Sequence, residues 1–311
     1  MSVLTLGETM ALFDPAEDGA PSTGKAYALR FAGAESNFAI ALARLGVPVR
    51  WASRLGDDPV GDLIARTIAA EGVDTRWVRR DQGAGTGAFI KFRERGLTRV
   101  QYFRRGSAAS HLTPADVPDE AFTGVRVAHL TGITLALSES ARSLVYDVAG
   151  RAQGLGVRVT FDANHRPALW PSAADARRAQ ERLLPLADWY FCGVDEARVL
   201  WGAGEPDALE QRIRAAGARG VVIRLGERGA FVNGVVVAPP RLVDVRDEIG
   251  AGDAFAAGFV YALLLGCPPH VCVLAGHIIA ACVLTGTGDW ETLPQLQAVQ
   301  GFLTQAAVVA T

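Results

Sequence analysis

The pattern of apolar and polar residues along the chain alternates between two spacings. Segments 34–46 and 60–72 carry apolar residues at helical intervals, such as Phe38, Leu42 and Leu45 in the first of them. Apolar runs typical of buried strands lie before, between and beyond them, at 2–7, 49–56, 125–133, 157–164, 188–193 and 220–226. Strands alternating with helices of about a dozen residues predict an α/β fold with a mostly parallel sheet covered on both faces.

The segment 86–105 breaks this alternation, because its two strand-like runs mix charged and aromatic residues around a turn at Glu94-Arg95-Gly96. We interpret it as a hairpin that stands off the main sheet. No linker, internal repeat or low-complexity tract divides the 311 residues. The sequence therefore predicts one domain over 1–311 with a small β appendage.

Composition and charge exclude several classes of function. The net charge is −2, which does not suggest a surface for a polyanion such as a nucleic acid. The apolar stretch 260–276 is interrupted by Gly-Cys-Pro-Pro-His and does not predict a membrane span, and the N-terminal run resembles a strand rather than a signal peptide. The four cysteines are expected to be buried free thiols, as suits a cytoplasmic protein: Cys192, Cys267, Cys272 and Cys282.

The stretch DEIGAGDAFAAGF (247–259) places one carboxylate, Asp253, behind three small residues at the start of an apolar helix. Free backbone N–H groups of a helix beginning there would point into the ligand crevice at the carboxyl edge of the sheet. Small residues let a ligand approach those groups, and the helix dipole favours an anion. We therefore predict an anion cradle with a base beside it, formed by Gly250, Ala251, Gly252 and Asp253.

An aspartate at a helix N-terminus is often only a cap, and that alternative stays open for Asp253. With the cradle beside it, the arrangement suits phosphoryl transfer to an alcohol, in which Asp253 accepts the hydroxyl proton. The chain has no GxxxxGK[ST] loop of a Walker-type enzyme. Its GAGTG at 83–87 precedes a strand rather than a helix, which disfavours a Rossmann dehydrogenase.

Two signatures resemble those of the PfkB/ribokinase-like carbohydrate kinases: GAGDAFAAGF (250–259) at the C-terminal end and FAGAESNFAIALARLG (31–46) at the N-terminal end. RLGDDPVGDLI (54–64) is similar to the family segment that follows the second. The resemblance implies a ribokinase-like three-layer α/β/α sandwich with a β lid contributed by residues 9–32 and 86–106. It also implies that the protein uses ATP and Mg²⁺ as cofactors. Monovalent-cation activation, known in some relatives, stays open because DEIGAGD departs from the family's DTTGAGD.

Two further stretches bear on the substrate. YFRRGSAAS (102–110) and FDANHRPALW (161–170) resemble the 2-keto-3-deoxygluconate kinases within the family. Tyr102 and Arg104 would share one face of a strand, and Arg166 follows a strand end. Two arginine forks suit the carboxylate of a sugar acid better than a neutral sugar. The alternative is a solvated charged hairpin, with its arginines facing water.

Position by position, the resemblance assigns the sugar site to residues at the start of the first helix, on the hairpin and beside the cradle: Gly33, Ala34, Asn37, Phe89, Tyr102, Arg104, Arg166 and Asp253. Many relatives have tyrosine at Phe89, so one hydroxyl donor to the substrate is lost. The resemblance assigns the nucleotide side to Asn164, Arg224, Gly226, Gly229, Gly250, Gly252 and His277. The resemblance places Asp162 and Asn164 at a polar strand end near the phosphates, and turn chemistry is the alternative for both. A core position is the alternative for His277.

The nucleotide side departs most from the family pattern. IRLGERGA (223–230) resembles the family's KxGxxG loop with Arg224 in place of lysine. GVDE (193–196) stands at the NxxE motif with Gly193 in place of asparagine. The retained Glu196 is implied to organise Mg²⁺ indirectly, through water.

The expected activity is transfer of the γ-phosphate of ATP to the C6 hydroxyl of 2-keto-3-deoxygluconate, giving 2-keto-3-deoxy-6-phosphogluconate. The galacto epimer, a fructokinase or ribokinase activity, and a non-catalytic sugar-acid sensor remain alternatives. The hairpin would act as a lid that excludes water. The expected partners are the sugar acid, ATP and further copies of the chain, paired through exposed edges of the lid.

Overall fold

The computed structural model describes residues 2–94, 97–240, 242–286 and 288–301. In chain order, the described strands are β1 (Ser2–Leu6), β2 (Met10–Pro15), β3 (Tyr27–Ala32), β4 (Val49–Gly56), β5 (Asp74–Asp81), β6 (Ala88–Glu94), β7 (Leu97–Phe103), β8 (Val125–Thr131), β9 (Arg158–Asp162), β10 (Trp189–Gly193), β11 (Gly220–Arg224), β12 (Ala230–Val232) and β13 (Val235–Val237). The α-helices are α1 (Ala34–Arg44), α2 (Pro59–Ala70), α3 (Gly132–Leu137), α4 (Glu139–Gly154), α5 (Ala173–Leu183), α6 (Val194–Trp201), α7 (Pro206–Ala215), α8 (Ala251–Leu264) and α9 (Pro269–Leu284).

Nine strands form the larger sheet, in the order β13-β12-β11-β10-β9-β8-β1-β4-β5. The strands from β11 to β5 are parallel to their neighbours, and β12 and β13 add an antiparallel edge. The chain runs outward from β1 through β4 and β5, then outward from β8 in the opposite direction. The strand order therefore reverses between β1 and β8, and ligands of open α/β sheets bind beyond the carboxyl ends of the strands at such a point.

Helices cover both faces of this sheet, as successive side chains of the central strands show. Leu4 and Leu6 of β1 pack in a core with residues of α4, α5, α6 and α7. Val3, on the opposite face of the same strand, packs in a second core with residues of α1, α2, α8 and α9. The near-continuous apolar strands are thus buried on two sides. The predicted α/β/α architecture with a mostly parallel sheet is confirmed.

The smaller sheet has four strands in the order β3-β2-β6-β7, and they fall within 9–32 and 86–106. Strands β6 and β7 form the predicted hairpin, whose turn residues Arg95 and Gly96 lie outside the described residues. One face packs around Met10, Leu12, Ala32 and Phe89. The sheet thus has its own apolar face, apart from the three apolar clusters around the larger sheet.

The structure bears on the cysteines and on the expectation that no segment spans a membrane. All four cysteines are free, and Cys192 and Cys272 are buried as expected, whereas Cys267 and Cys282 are only half-buried. Across the described residues, no helix combines the length and apolar character needed to cross a membrane.

Candidate active site

A cleft of about 960 Å³ is lined by residues from the carboxyl edge of the larger sheet and from the smaller sheet. Of the residues that the sequence predicted for the site, all but Asp162 line this cleft: Gly33, Ala34, Asn37, Phe89, Tyr102, Arg104, Asn164, Arg166, Glu196, Arg224, Gly226, Gly229, Gly250, Ala251, Gly252, Asp253 and His277. They come from segments far apart in the chain. The fold therefore brings the predicted sugar, nucleotide and cradle residues to one place, although their individual roles stay predictions.

The residues of the predicted anion cradle lie where α8 begins, at Ala251. Gly250 precedes it in the left-handed conformation, with φ +82°. A Cβ atom on Gly250 would lie 2.2 Å from the carbonyl oxygen of Asp289, and one on Gly252 would lie 3.0 Å from Nη1 of Arg224. Any larger residue at position 250 would be strained and would clash with backbone, so this glycine is required by the turn.

Asp253 lies in the first turn of α8, but side chains rather than the helix end hold its carboxylate. Asn37 Nδ2 donates a hydrogen bond to Oδ2 at 2.9 Å, and Asn164 Nδ2 donates to Oδ1 at 3.4 Å. Two amides from different segments thus aim the carboxylate into the cleft. This arrangement favours a base over the helix cap that the sequence left as the alternative.

Burial is the largest influence on the pKa of Asp253 and raises it to about 7. The hydrogen bond from Asn37 lowers this pKa, the charge of Asp162 raises it, and Arg166 lowers it. A general base works best when its pKa lies near the operating pH. The carboxyl group therefore has the proton affinity that proton abstraction from an alcohol requires.

Arg224, at the end of β11, is clamped by the carboxylates of Asp162, at the end of β9, and Glu196, in α6. Its Nη1 and Nη2 lie 2.6 and 3.0 Å from the two oxygens of buried Asp162, and Nη2 lies 3.6 Å from Glu196. Nη1 also donates to the carbonyl of Gly252 at 3.2 Å. Burial is the largest single influence on the Arg224 pKa and lowers it, but Asp162 and Glu196 both raise it and the net shift is upward. The guanidinium therefore ties the cradle to the sheet, a role that its place in a KxGxxG-like loop did not reveal.

We expect Arg224→Met to cost about 3 kcal/mol of unfolding free energy, because it leaves the buried carboxylate of Asp162 without its partner. Thermal and urea unfolding measure this loss. The matched control is Arg198→Met, which removes an arginine whose partner, Asp195, is 92% exposed, and should change stability by about 0.5 kcal/mol or less. Equal losses in the two variants would contradict the clamp.

The side chains of Glu196 and Asn164 line the cleft and are also part of local backbone turns. Glu196 accepts the backbone N–H groups of His165 and Gly193 at 2.7 and 2.6 Å, one on each oxygen. Asp162 Oδ1 accepts the N–H of Asn164, whose φ is +34°. Turn chemistry is therefore present at Asp162 and Asn164, as the alternative proposed, although Asn164 also reaches Asp253. The remaining lone pairs of Glu196 fit a Mg²⁺ ion held through water.

Arg104, just beyond β7, faces a carboxylate that the sequence did not suggest. Its Nε donates to Oε2 of Glu8 at 2.7 Å and its Nη2 pairs with the same oxygen, while Ser107 donates to Oε1. The side chain of Arg104 is only 9% exposed and Glu8 is fully buried. The solvated alternative is therefore wrong for Arg104, although Arg105 is exposed.

Aromatic rings complete the smaller sheet's side of the cleft. The Tyr102 ring lies 5.5 Å from the Phe89 ring and 5.5 Å from the Arg104 guanidinium carbon. Across the cleft, His277 packs edge-on against Phe255, and its Nε2 lies 3.1 Å from the carbonyl of Val237. His277 thus takes part in the core, as its alternative proposed, and lines the cleft as well.

The sequence interpretation missed charged residues whose partners are distant in the chain. Glu8 is the second residue after β1, and a carboxylate just past a buried strand was the signal that could have identified it. Glu35, in α1, is fully buried and accepts hydrogen bonds from Thr131 and Thr134. Burial raises the pKa of Glu35, and its charge in turn raises that of Asp253.

A model of the pfkB family of carbohydrate kinases matches residues 1–296 of the chain. The chain belongs to the pfkB family. This match spans both signatures and both sheets, so the predicted assignment as a carbohydrate kinase is confirmed.

Curated relatives of this pfkB chain have names that agree with the resemblance seen in the sequence. The 2-dehydro-3-deoxygluconokinase of Bacillus subtilis (strain 168) is 36% identical, with 99% of this chain and 97% of that protein aligned. The 2-dehydro-3-deoxygluconokinase of Thermoproteus tenax is 35% identical, over 94% of this chain and 91% of that protein. The chain is thus similar to these enzymes along nearly its whole length.

The crystal structure of a PfkB protein from Polaromonas sp. JS666 resembles this pfkB chain at a TM-score of 0.87 and 36% identity, and the alignment covers 96% of this chain and 99% of that one. The predicted family fold is therefore confirmed over both sheets.

Proposed function

We propose that this protein transfers the γ-phosphate of ATP to the C6 hydroxyl of 2-keto-3-deoxygluconate, which is also called 2-dehydro-3-deoxygluconate. The observation that carries the proposal is the carboxyl group of Asp253, with a pKa of about 7, held by Asn37 beside the anion cradle. The full-length similarity to two 2-dehydro-3-deoxygluconokinases supports the choice of substrate.

In the proposed reaction, the C6 oxygen forms a bond to the γ-phosphorus while the bond from that phosphorus to the bridging oxygen of ADP breaks. Asp253 accepts the proton of the hydroxyl. The backbone N–H groups of the cradle stabilise the charge on the transferred PO₃ unit. Bound Mg²⁺ would neutralise charge on the nucleotide phosphates, and Glu196 would contact its hydration shell. The smaller sheet acts as a lid that excludes water.

The carboxylate of the sugar acid is proposed to bind Arg104 and Arg166. Arg104 uses Nε and Nη2 for Glu8, which fixes the guanidinium and leaves its Nη1 N–H groups for a ligand. Gly33 and Glu8 both line the cleft beside Arg104. A Cβ at position 33 would lie 2.3 Å from the carbonyl oxygen of Glu8, so a larger residue would clash there. A neutral sugar has no group to match two guanidinium forks.

The nucleotide is proposed to lie on the loop after β11, where Gly226 and Gly229 have φ values of +63° and +99°. His277 would border the base. A monovalent cation placed between Asp247 and Asp289 beside the cradle would compete with the ammonium of Lys91, which already lies against both carboxylates. We also propose a homo-oligomer in the cytoplasm, joined through the lid face that exposes Phe13 and Phe103.

Turnover should depend on pH through Asp253. The base must be ionised to accept a proton, so kcat/KM should fall about tenfold per pH unit below a pKa of about 7 and level off above it. Initial rates between pH 5 and 9 measure the profile. ATP also titrates in this range, so residual turnover of Asp253→Asn is the control and should lack the Asp253 limb. Identical profiles for the two proteins would contradict the assignment.

A panel of acceptors with ATP and Mg²⁺ tests the substrate directly, by coupled measurement of ADP release. The panel contains 2-keto-3-deoxygluconate, its galacto epimer, fructose and ribose. We expect 2-keto-3-deoxygluconate to give the highest kcat/KM of the four. Preference for fructose or ribose would favour the alternative kinases of this fold. Sugar-acid binding without ADP release would favour the sensor.

A further inference from the structure

Lys91 lies in β6 of the smaller sheet, yet its side chain is completely buried. Its ammonium donates to Oδ1 of Asp289 at 2.9 Å and lies 3.6 Å from Oδ2 of Asp247. The two aspartate side chains are only 4% and 13% exposed. A buried ammonium is tolerated only when carboxylates pair with it, so these three residues, the Lys91 cluster, behave as a unit.

The Lys91 cluster borders the anion cradle on two sides. Asp247 stands three residues before Gly250 and accepts the backbone N–H of Ile249 at 3.1 Å. On the other side, the backbone of Asp289 packs closely against Gly250. A Cβ atom added to Gly250 would lie only 2.2 Å from the carbonyl oxygen of Asp289. A displacement of either aspartate would therefore move the turn that presents the cradle amides.

The two carboxylates of the Lys91 cluster need a positive charge between them. Asp247 and Asp289 lie beside the same ammonium, and their mutual repulsion contributes to raising the pKa of Asp289 to about 6, after the larger effect of burial. The neighbouring Arg30 pairs with Glu291 and Asp14 instead. Two adjacent carboxylates are hard oxygen ligands that suit a hard cation, and the Lys91 ammonium already supplies the positive charge between them.

We propose that Lys91 is a positioning residue, an internal cation that holds the anion cradle in place and makes turnover independent of added K⁺ or NH₄⁺. The inference rests on the proposed phosphoryl transfer at the cradle. Because Lys91 belongs to the smaller sheet, the same ammonium also joins that sheet to the cradle. Only Lys25 shares its residue type in the whole sequence, which provides a matched control.

The first test uses the unaltered protein. Turnover and melting temperature are compared in KCl, NH₄Cl and tetramethylammonium chloride at one ionic strength of about 0.1 M. We expect turnover to differ by about twofold or less among the three salts, since a specific cation has no site to bind. Tenfold activation by K⁺ over tetramethylammonium would overturn the proposal.

The second test is Lys91→Ala, which removes the ammonium and leaves space between two buried carboxylates. In tetramethylammonium we expect kcat to fall about 10- to 100-fold, because the cradle amides shift. K⁺ or NH₄⁺ should restore much of the loss and raise the melting temperature by about 3 °C or more, an effect that the unaltered protein and Lys25→Ala should not show. A loss that neither cation relieves would overturn the proposal.

A second variant still tests the proposal if Lys91→Ala does not fold in tetramethylammonium. Lys91→Ala combined with Asp289→Asn carries one buried charge fewer and should fold more readily. We expect its melting temperature to respond to K⁺ less than that of Lys91→Ala refolded in K⁺. Failure of every sugar to release ADP would refute the proposed function, whereas the melting temperatures would still decide whether Lys91 stands in for a cation.

Discussion

Asp253→Asn should keep the fold and lower kcat by about 10²-fold or more, the range assigned to a positioned general base. The amide has the same shape, and its oxygen can still accept the hydrogen bond from Asn37. It has no basic oxygen for the hydroxyl proton. Initial rates with the sugar acid, ATP and Mg²⁺ measure the loss, and circular dichroism checks the fold.

Stability separates this catalytic role from a structural one. The folded pKa of Asp253 is about 7, above the ordinary 3.8, so ionising this group as the pH rises towards 7 destabilises the protein. At pH 8 the Asp253→Asn variant should therefore melt no lower than the unaltered protein, while being far slower. Asp195→Asn, at a 92% exposed carboxylate, is the control and should change neither quantity. Nearly full turnover after Asp253→Asn would exclude it as the base.

Replacing Arg104 should affect sugar acids selectively. A hydrogen-bonded charge pair between Arg104 and the substrate carboxylate predicts that its loss lowers kcat/KM for 2-keto-3-deoxygluconate about 10- to 100-fold. Turnover of fructose, which lacks the carboxylate, should change much less. The measurement is the ratio of kcat/KM for the two substrates in each variant.

The variant needs a compensating change, because Arg104→Ala alone leaves buried Glu8 unpaired and would destabilise the protein by about 3 kcal/mol or more. Arg104→Met with Glu8→Gln removes both charges and keeps the interior neutral. Arg105→Ala, at the exposed neighbour, should leave both substrates unaffected. If the double variant loses equal turnover on both substrates, Arg104 does not recognise the carboxylate.

The sequence was sufficient for the elements with strong periodicity. The segment 34–46 became α1 (Ala34–Arg44), and the run 220–226 became β11 (Gly220–Arg224), because apolar spacing within one segment depends only on local geometry. The cradle was predictable for the same reason, since its small residues and its aspartate are adjacent in the chain.

Charge pairing across the chain was not predictable from local pattern. Glu8 and Arg104 are 96 positions apart, and Lys91 and Asp289 are 198 apart. In a hairpin that mixes charges and aromatics, Lys91 looks like any solvated residue, yet the fold buries it completely. Tertiary packing decides which of the alternating side chains of a strand becomes buried, and the sequence of the strand alone does not reveal it.

The central claim is that Asp253 takes the proton from the acceptor hydroxyl while the cradle holds the transferred group. A crystal structure with ADP, aluminium fluoride and 2-keto-3-deoxygluconate tests it most directly. The account predicts the C6 oxygen at about 3 Å from the Asp253 carboxylate and the fluoroaluminate against the backbone N–H groups of 250–253. An acceptor oxygen held by another residue, with Asp253 out of hydrogen-bonding reach, would contradict it.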